Sequence, residues 1–232
     1  GSSVPQLVNL TSLPDGGVVC VNQDISDQKR TEGRLRAIRE RVEALMLAEG
    51  RDALVDELIG ATTDVVDRPL VSYWTYDADR ERLTPLSTSR AAAERLASPP
   101  TFDRDGGPLW DALEAGELRY LPEETELTRS DGDEIPLRSA VVLPIGRHGV
   151  LRVSSTAVDD FSRTDLELLR ILGTHADTAF TLLDRENALR DARDRIDAER
   201  QQLREVVDHI PQLVFAKTRD GEFVLVNEAV AE

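Results

Sequence analysis

Cysteine is almost absent from this 232-residue sequence. The single Cys20 cannot form an intramolecular disulfide, and it cannot supply a Cys-based zinc site or a resolving thiol pair for redox catalysis. Its neighbours Val18, Val19 and Val21 read as a strand interior, without the nearby cations that would make a thiol reactive. Methionine is as scarce: Met46 is the only one and is internal, which, with the Gly-Ser opening, is expected of a fragment taken from a longer chain. Lysine is confined to Lys29 and Lys217, all other basic residues being arginine, and aromatic residues make up 4%. No run approaches the roughly 18 apolar residues of a membrane span, and no basic start followed by an apolar stretch marks a signal peptide. A cytoplasmic protein with no membrane partner is expected.

What the sequence has in excess is acid. Asp and Glu number 44 against 28 Lys and Arg, for a net charge of −16, so the surface repels phosphate backbones and direct nucleic-acid binding is not expected. Dense carboxylates with arginine in place of lysine suit a halophilic source. At molar salt the Debye length falls to about 3 Å and long-range self-repulsion disappears. The apolar content of 40% is ample for a packed core.

Residues 4–27 read as two strands joined by Pro14-Asp15-Gly16-Gly17, a tight hairpin turn. From 27 to 49 the pattern is helical, with Leu35, Ile38, Val42 and Leu45 on one stripe, Asp27 as N-cap and Gly50 as stop. A second helix over 51–66 places Leu54, Leu58 and Val65 on one face. The β-branched and aromatic run 70–77 and the strand 82–89 make a hairpin. Residues 90–136 are less regular: a short helix at 90–97, breakers at Pro99-Pro100, a helix at 108–115, a strand at 118–121, then an acidic loop. Strands 138–145 and 150–158 make a second, more apolar hairpin, central in an antiparallel sheet.

Ser162 is placed to cap a helix running unbroken to Asp208. Leu168, His175, Leu182, Leu189, Ile196, Leu203 and Ile210 recur at intervals of seven along it. The accompanying positions, among them Thr178, Arg185 and Glu199, are poor knobs, so the pattern predicts a dimeric coiled coil of limited stability or an amphipathic helix with a solvated extension. In a parallel dimer the two His175 rings would face each other, and protonation near the ordinary pKa of ~6.5 would set like charges in the seam. A last hairpin is expected at 210–218 and 223–227, with Asn227 capping a further helix.

Three clusters are specific. Ser139 with Pro144 and Ile145, Gly149 with Leu151 and Val153, and Phe161 with Asp165, Leu168 and Leu169 together resemble the C-terminal half of a GAF domain. The likeness extends over roughly residues 30–187. The two ends resemble pieces of PAS domains: Asp24, Ile25 and Ser26 stand at the junction into a signalling helix, and the run from Val206 to Asn227 is similar to a PAS start. The resemblance implies an α+β fold, a GAF-like mainly antiparallel sheet with flanking helices, long terminal signalling helices and partial PAS hairpins. It divides the chain into 1–27 (end of one PAS domain), 28–187 (GAF), 188–208 (coiled-coil linker) and 209–232 (start of a second PAS domain). It also implies the input half of a cytoplasmic sensor, such as a histidine kinase of a two-component system or a bacterio-opsin-activator-like regulator of haloarchaea.

The chemistry is sparse. His148, His175 and His209 lie at no metal-binding spacing, so no metal site is expected, and His209 precedes a helix-breaking Ile210-Pro211 that argues against a phosphoacceptor. No cysteine stands within 30–187, which speaks against bilin attachment and against a GAF-fold redox enzyme. The nucleotide-binding constellation of cyclic-GMP GAF domains, a P-loop and a Ser/His/Asp arrangement are all missing. What remains is the family pocket. Trp74 and Tyr76 project from one face of the first strand of the domain, and Trp110 and Tyr120 lie in the segment that would cover it. These four form either a ligand cage or ordinary core, because strand parity does not say which face meets the helices. The expectation is a non-catalytic sensory module that relays a ligand, redox or light-type stimulus to an output domain outside the fragment. Its partners would be a second copy through the long helices, adjacent PAS and output domains, and a small-molecule ligand. A dimerisation spacer without a ligand is the alternative, and no cofactor is identified.

Overall fold

A computed structural model describes residues 6–12, 18–24, 38–95, 99–104, 107–123, 126–130, 133–212 and 214–227. They fall into two compact units, 1–181 and 182–232. The first unit opens with the hairpin β1 (Gln6–Ser12) and β2 (Val18–Asp24), paired antiparallel from Gln6 opposite Asp24 to Ser12 opposite Val18. Cys20 lies on β2, opposite Leu10. Residues 38–47 are helical (α1); Leu35, Asp27 and the rest of the helix expected from 27 lie outside the described residues. Gly50, at φ 99°, turns the chain into α2 (Arg51–Val66).

A six-stranded antiparallel sheet follows, built from β3 (Leu70–Asp77), β4 (Arg82–Thr88), β5 (Phe102–Asp103), β6 (Arg119–Leu121), β9 (Ser139–Ile145) and β10 (Gly149–Ser155), in the order β5-β4-β3-β10-β9-β6. Helices α3 (Arg90–Arg95) and α4 (Pro108–Ala115) interrupt it in sequence. So does a separate hairpin, β7 (Glu126–Ser130) with β8 (Asp133–Leu137), where the sequence reading placed an acidic loop. The long helix α5 (Arg163–Asp208) begins in this unit. The architecture is the expected α+β one: a mainly antiparallel sheet with flanking helices and one long helix.

Strand alternation sorts the core into two layers. Val71 and Tyr73 of β3, Val141, Leu143 and Ile145 of β9, and Leu151 and Val153 of β10 pack with Ile38 and Leu45 of α1, Leu54 and Leu58 of α2, and Leu169, Leu172 and Phe180 of α5. The described part of the α1 stripe, Ile38, Val42 and Leu45, is therefore spent on this core. The alternate positions Trp74, Val142 and Val150 pack on the other face with Leu83 and with Leu109, Trp110 and Ala112 of α4. Each fully buried Leu or Phe contributes about 2 kcal/mol of apolar transfer, which makes the α2–sheet–α5 layer the main source of stability.

The motif residues have local reasons. Gly149, at φ 156°, lies where a Cβ would stand 2.0 Å from the carbonyl oxygen of Trp74, so the approach of β10 to β3 admits no side chain there. Ser139 donates through its hydroxyl to the carbonyl of Ala157 at 2.7 Å, tying the start of β9 to the end of β10. Ser162 and Asp165 form a reciprocal cap: the Asp165 amide donates to the Ser162 hydroxyl, and the Ser162 amide donates to the Asp165 carboxylate at 2.9 Å.

In the second unit, α5 residues 182–208 expose Leu182, Leu189, Ile196 and Leu203, Leu189 by 73%. Beyond them β11 (Phe215–Lys217) pairs with β12 (Phe223–Val226), shorter than the strands expected at 210–218 and 223–227. Asn227 does not lead into a described helix, since residues 228–232 lie outside the described residues. Its buried side chain instead donates to the carbonyls of Val207, Ile210 and Gln212 and accepts the Val214 amide at 2.9 Å, closing the last turn of α5 against the hairpin. Among the described residues no helix is long and apolar enough to cross a membrane.

Candidate functional site

The face of the sheet away from α2 and α5 carries the aromatic cluster. Trp74 is buried and donates from Nε1 to the Pro100 carbonyl at 2.9 Å, its ring tilted against Phe102 at 6.0 Å. Two residues on, Tyr76 is half-buried and meets Trp110 edge to face at 5.7 Å. Trp110 is held there because Pro108 starts α4 at N1 and Gly116 ends it in the left-handed region, fixing a two-turn helix across the sheet. Trp110 is 5% exposed, and its indole N–H has no hydrogen-bond acceptor among the described residues.

Beside this pair is an open cavity of about 340 Å³, lined by Tyr76, Glu81, Arg104, Trp110, Leu113, Glu114, Gly146 and Arg147. Arg104 bridges the two carboxylates, at 2.5 Å from Glu81 and 3.5 Å from Glu114. Exposed Arg147 makes no ion pair among the described residues. Of the four aromatics singled out in the sequence, Trp74, Tyr76 and Trp110 are thus brought together, and only the last two line the cavity.

Tyr120 is not brought to them. On β6 it pairs opposite Val141, whose side chain faces the α5 layer, and alternation carries the Tyr120 ring to that side. There it packs edge to face on Phe161 at 5.9 Å and donates its hydroxyl to Asp159 Oδ1 at 2.6 Å. Burial, reinforced by the hydrogen bond to the Asp159 carboxylate, pushes its pKa above the ordinary value of 10.0. Nearby, Arg68 holds Asp160 at 2.9 Å, and Ser155 bonds the same carboxylate, so the β10–α5 connection is fastened to the end of α2.

The β9–β10 turn, Gly146-Arg147-His148, links the cavity to α5. The carbonyl of His148 accepts the Tyr76 amide at 3.1 Å and the Tyr73 hydroxyl at 3.1 Å. Its buried ring stacks on Phe180 at 5.1 Å, with Nε2 3.4 Å from the Thr181 hydroxyl and 3.6 Å from Asp177 Oδ1. Gly146 lies so close to Asp177 that a Cβ would fall 1.9 Å from Oδ1. The second hollow, about 520 Å³ on the helix side of this turn, is lined by Leu143, Pro144, Gly146, Arg170, Gly173 and Asp177 among others, and has no aromatic wall.

Sequence reasoning missed Glu81, Arg104, Glu114 and Arg147, which come from four separate segments and converge only through the sheet. Pairing of His148 with Phe180 was equally invisible. Among the described residues no three His, Cys, Asp or Glu side chains cluster closely enough to hold a metal ion, and His175 is half-buried on α5.

Comparison with known proteins bears on the same region. No curated protein matches the chain. The GAF domain of an Acinetobacter phosphoenolpyruvate-protein phosphotransferase is similar in structure, with TM-score 0.53 and 15% identity over 64% of this chain and 92% of that one. The free methionine-R-sulfoxide reductase of Neisseria meningitidis, solved with its substrate, has TM-score 0.55 and 13% identity over 66% of this chain and 91% of that one. A bacteriophytochrome from the photosynthetic bacterium R. palustris has TM-score 0.60 and 12% identity, and the match spans 88% of this chain but 47% of the bacteriophytochrome. At such identities the likeness is one of fold. The family model of the GAF domain matches residues 48–181, the stretch that contains the sheet, α4 and the buried part of α5. With that match covering more than half of its length, the chain belongs to the GAF domain family.

Proposed function

We propose that the chain is the sensory and regulatory part of a signal-transduction protein, in which occupation of the Tyr76–Trp110 cavity alters the β9–β10 turn and, through it, α5. One observation carries the reading: the backbone of His148 holds Tyr76, which lines the cavity, while its ring is stacked on Phe180, the last fully buried side chain of α5. A shift of the turn cannot leave α5 untouched, because cores this dense transmit displacement rather than absorb it. Two packings that differ by a few kcal/mol suffice for a modest ligand to change their populations.

The readout is a parallel homodimer through α5. The exposed Leu182, Leu189, Ile196 and Leu203 supply one good stripe, and the charged positions between them keep the pairing weak enough to switch. By the same reading, residues 1–27 and 209–232 are parts of PAS domains around a GAF domain at 28–187 and a linker at 188–208. The parent is a haloarchaeal sensor kinase or bacterio-opsin-activator-like regulator, and the output domain lies outside this sequence. The absence of cysteine from 30–187 removes the thiol chemistry a redox enzyme on this fold would need.

Disulfide trapping tests the dimer. In a Cys20→Ser background, Leu189→Cys is expected to cross-link under mild oxidation and Asp191→Cys, on the opposite side of the helix, is not. Equal yields, or none, overturn the proposed readout. Thermal-shift screening of small molecules separates a sensor from a spacer: a chain that no compound stabilises is a dimerisation spacer.

A further inference from the structure

Resting on the sensory reading above, we infer that the cavity takes a planar aromatic monoanion, its ring against Trp110 and Tyr76 and its anionic group on Arg147. Three observations select this class. The volume of about 340 Å³ is at the small end for ligand sites and suits one or two fused rings. Part of the wall is aromatic and apolar, with Tyr76 edge-on to Trp110 at 5.7 Å and Leu113 also lining the cavity, which gives a flat ligand a ring surface to lie against.

Charge supplies the third. In a chain of net charge −16 an aromatic-lined cavity would be expected to collect a cation, through ring faces and surrounding carboxylates. Here both carboxylates at the rim, Glu81 and Glu114, are engaged by Arg104 at 2.5 and 3.5 Å. Arg147, which lines the same cavity, has no carboxylate partner among the described residues. The one uncommitted charge is therefore a guanidinium, whose fork of donors matches a carboxylate in two parallel hydrogen bonds. The Trp110 indole N–H, buried and without an acceptor among the described residues, belongs to a side chain that lines the cavity and so reports on its occupation.

The sequence contains two tryptophans, so an amide-type ¹⁵N–¹H spectrum of the full chain shows two indole signals, assigned with Trp74→Phe. The probes are 2-naphthoate, 2-naphthol and 2-naphthylmethylammonium, which share a ring system and differ in charge, titrated at constant ionic strength. Saturable movement of the Trp110 signal by 2-naphthoate is expected, with little change at Trp74, whose N–H is held by Pro100. Arg147→Gln should weaken 2-naphthoate about tenfold and leave 2-naphthol unchanged, the difference expected of a charge-assisted pair. Binding of 2-naphthol or 2-naphthylmethylammonium as tight as that of 2-naphthoate, or equal weakening of 2-naphthol by Arg147→Gln, overturns the assigned class while leaving a ligand site. No movement with any of the three probes overturns both the class and the ligand-sensing reading.

Discussion

Replacing Gly149 by alanine should break the fold where the cavity face and the α5 face are joined. The new methyl would stand 2.0 Å from the Trp74 carbonyl oxygen and 2.7 Å from the Tyr73 hydroxyl, well inside the 3.0 Å that Cβ contacts respect. The nearer obstacle is backbone of the neighbouring strand, so relief requires β10 to move about 1 Å from β3. That movement disturbs the pairing of Gly149 with Thr75 and the 3.1 Å hydrogen bond from Tyr73 to the His148 carbonyl. Overpacking of this kind costs about 1–3 kcal/mol, and a side chain at a φ of 156° adds about 1–3 kcal/mol. A loss of about 3 kcal/mol is expected, a large share of the 5–15 kcal/mol typical of a domain. Urea unfolding followed by tryptophan fluorescence measures it, and because Trp74 and Trp110 both lie within residues 1–181 the signal reports that unit alone. A loss below about 0.5 kcal/mol would refute the steric argument. Gly60→Ala is the control: nothing lies within 4 Å of the added carbon in mid-α2, so stability should rise by about 0.5–1 kcal/mol.

Other outcomes are expected. Gly146→Ala meets the end of the Asp177 side chain rather than backbone, so adding Asp177→Ala should restore part of the lost stability in the same unfolding assay, whereas no second change rescues Gly149→Ala. Tyr120 stays protonated in folded and unfolded chains below about pH 10; above it the unfolded chain ionises first, so its contribution is lost as pH climbs through the raised folded value. Tyr120→Phe should therefore flatten the alkaline fall in stability, and an unchanged profile would dismiss that role. Asn227→Ala removes the side-chain donor to three carbonyls and the acceptor of the Val214 amide, and hydrogen exchange of that amide should quicken by roughly fivefold to a hundredfold, from the roughly 1–3 kcal/mol at stake. Melting in low and molar KCl checks the halophile proposal, which requires a higher Tm in molar salt.

Much of the fold was legible because the informative segments are locally consistent. The β-branched runs at 70–77, 139–145 and 149–155 and the Ser162 cap each point to one conformation. The β7–β8 hairpin was not, since Glu126–Leu137 is too polar to show alternation, although Asp131-Gly132 is a hairpin dipeptide that could have betrayed it. The site was half legible. Trp74, Tyr76 and Trp110 were found by their scarcity, but a three-residue strand leaves parity undetermined, and Tyr120 turned to the other face. Arg104 and Arg147 could not be placed, because a charge in a loop acquires a neighbour only when the sheet is assembled.

Hydrogen exchange along the intact chain, with and without saturating 2-naphthoate, tests the relay most directly. Occupation of the cavity should change protection at Gly146–His148 and also in α5 beyond Phe180, from Thr181 to Leu189. Changes confined to Tyr76, Trp110 and their immediate neighbours, with α5 unaltered, would contradict a cavity that speaks to the helix.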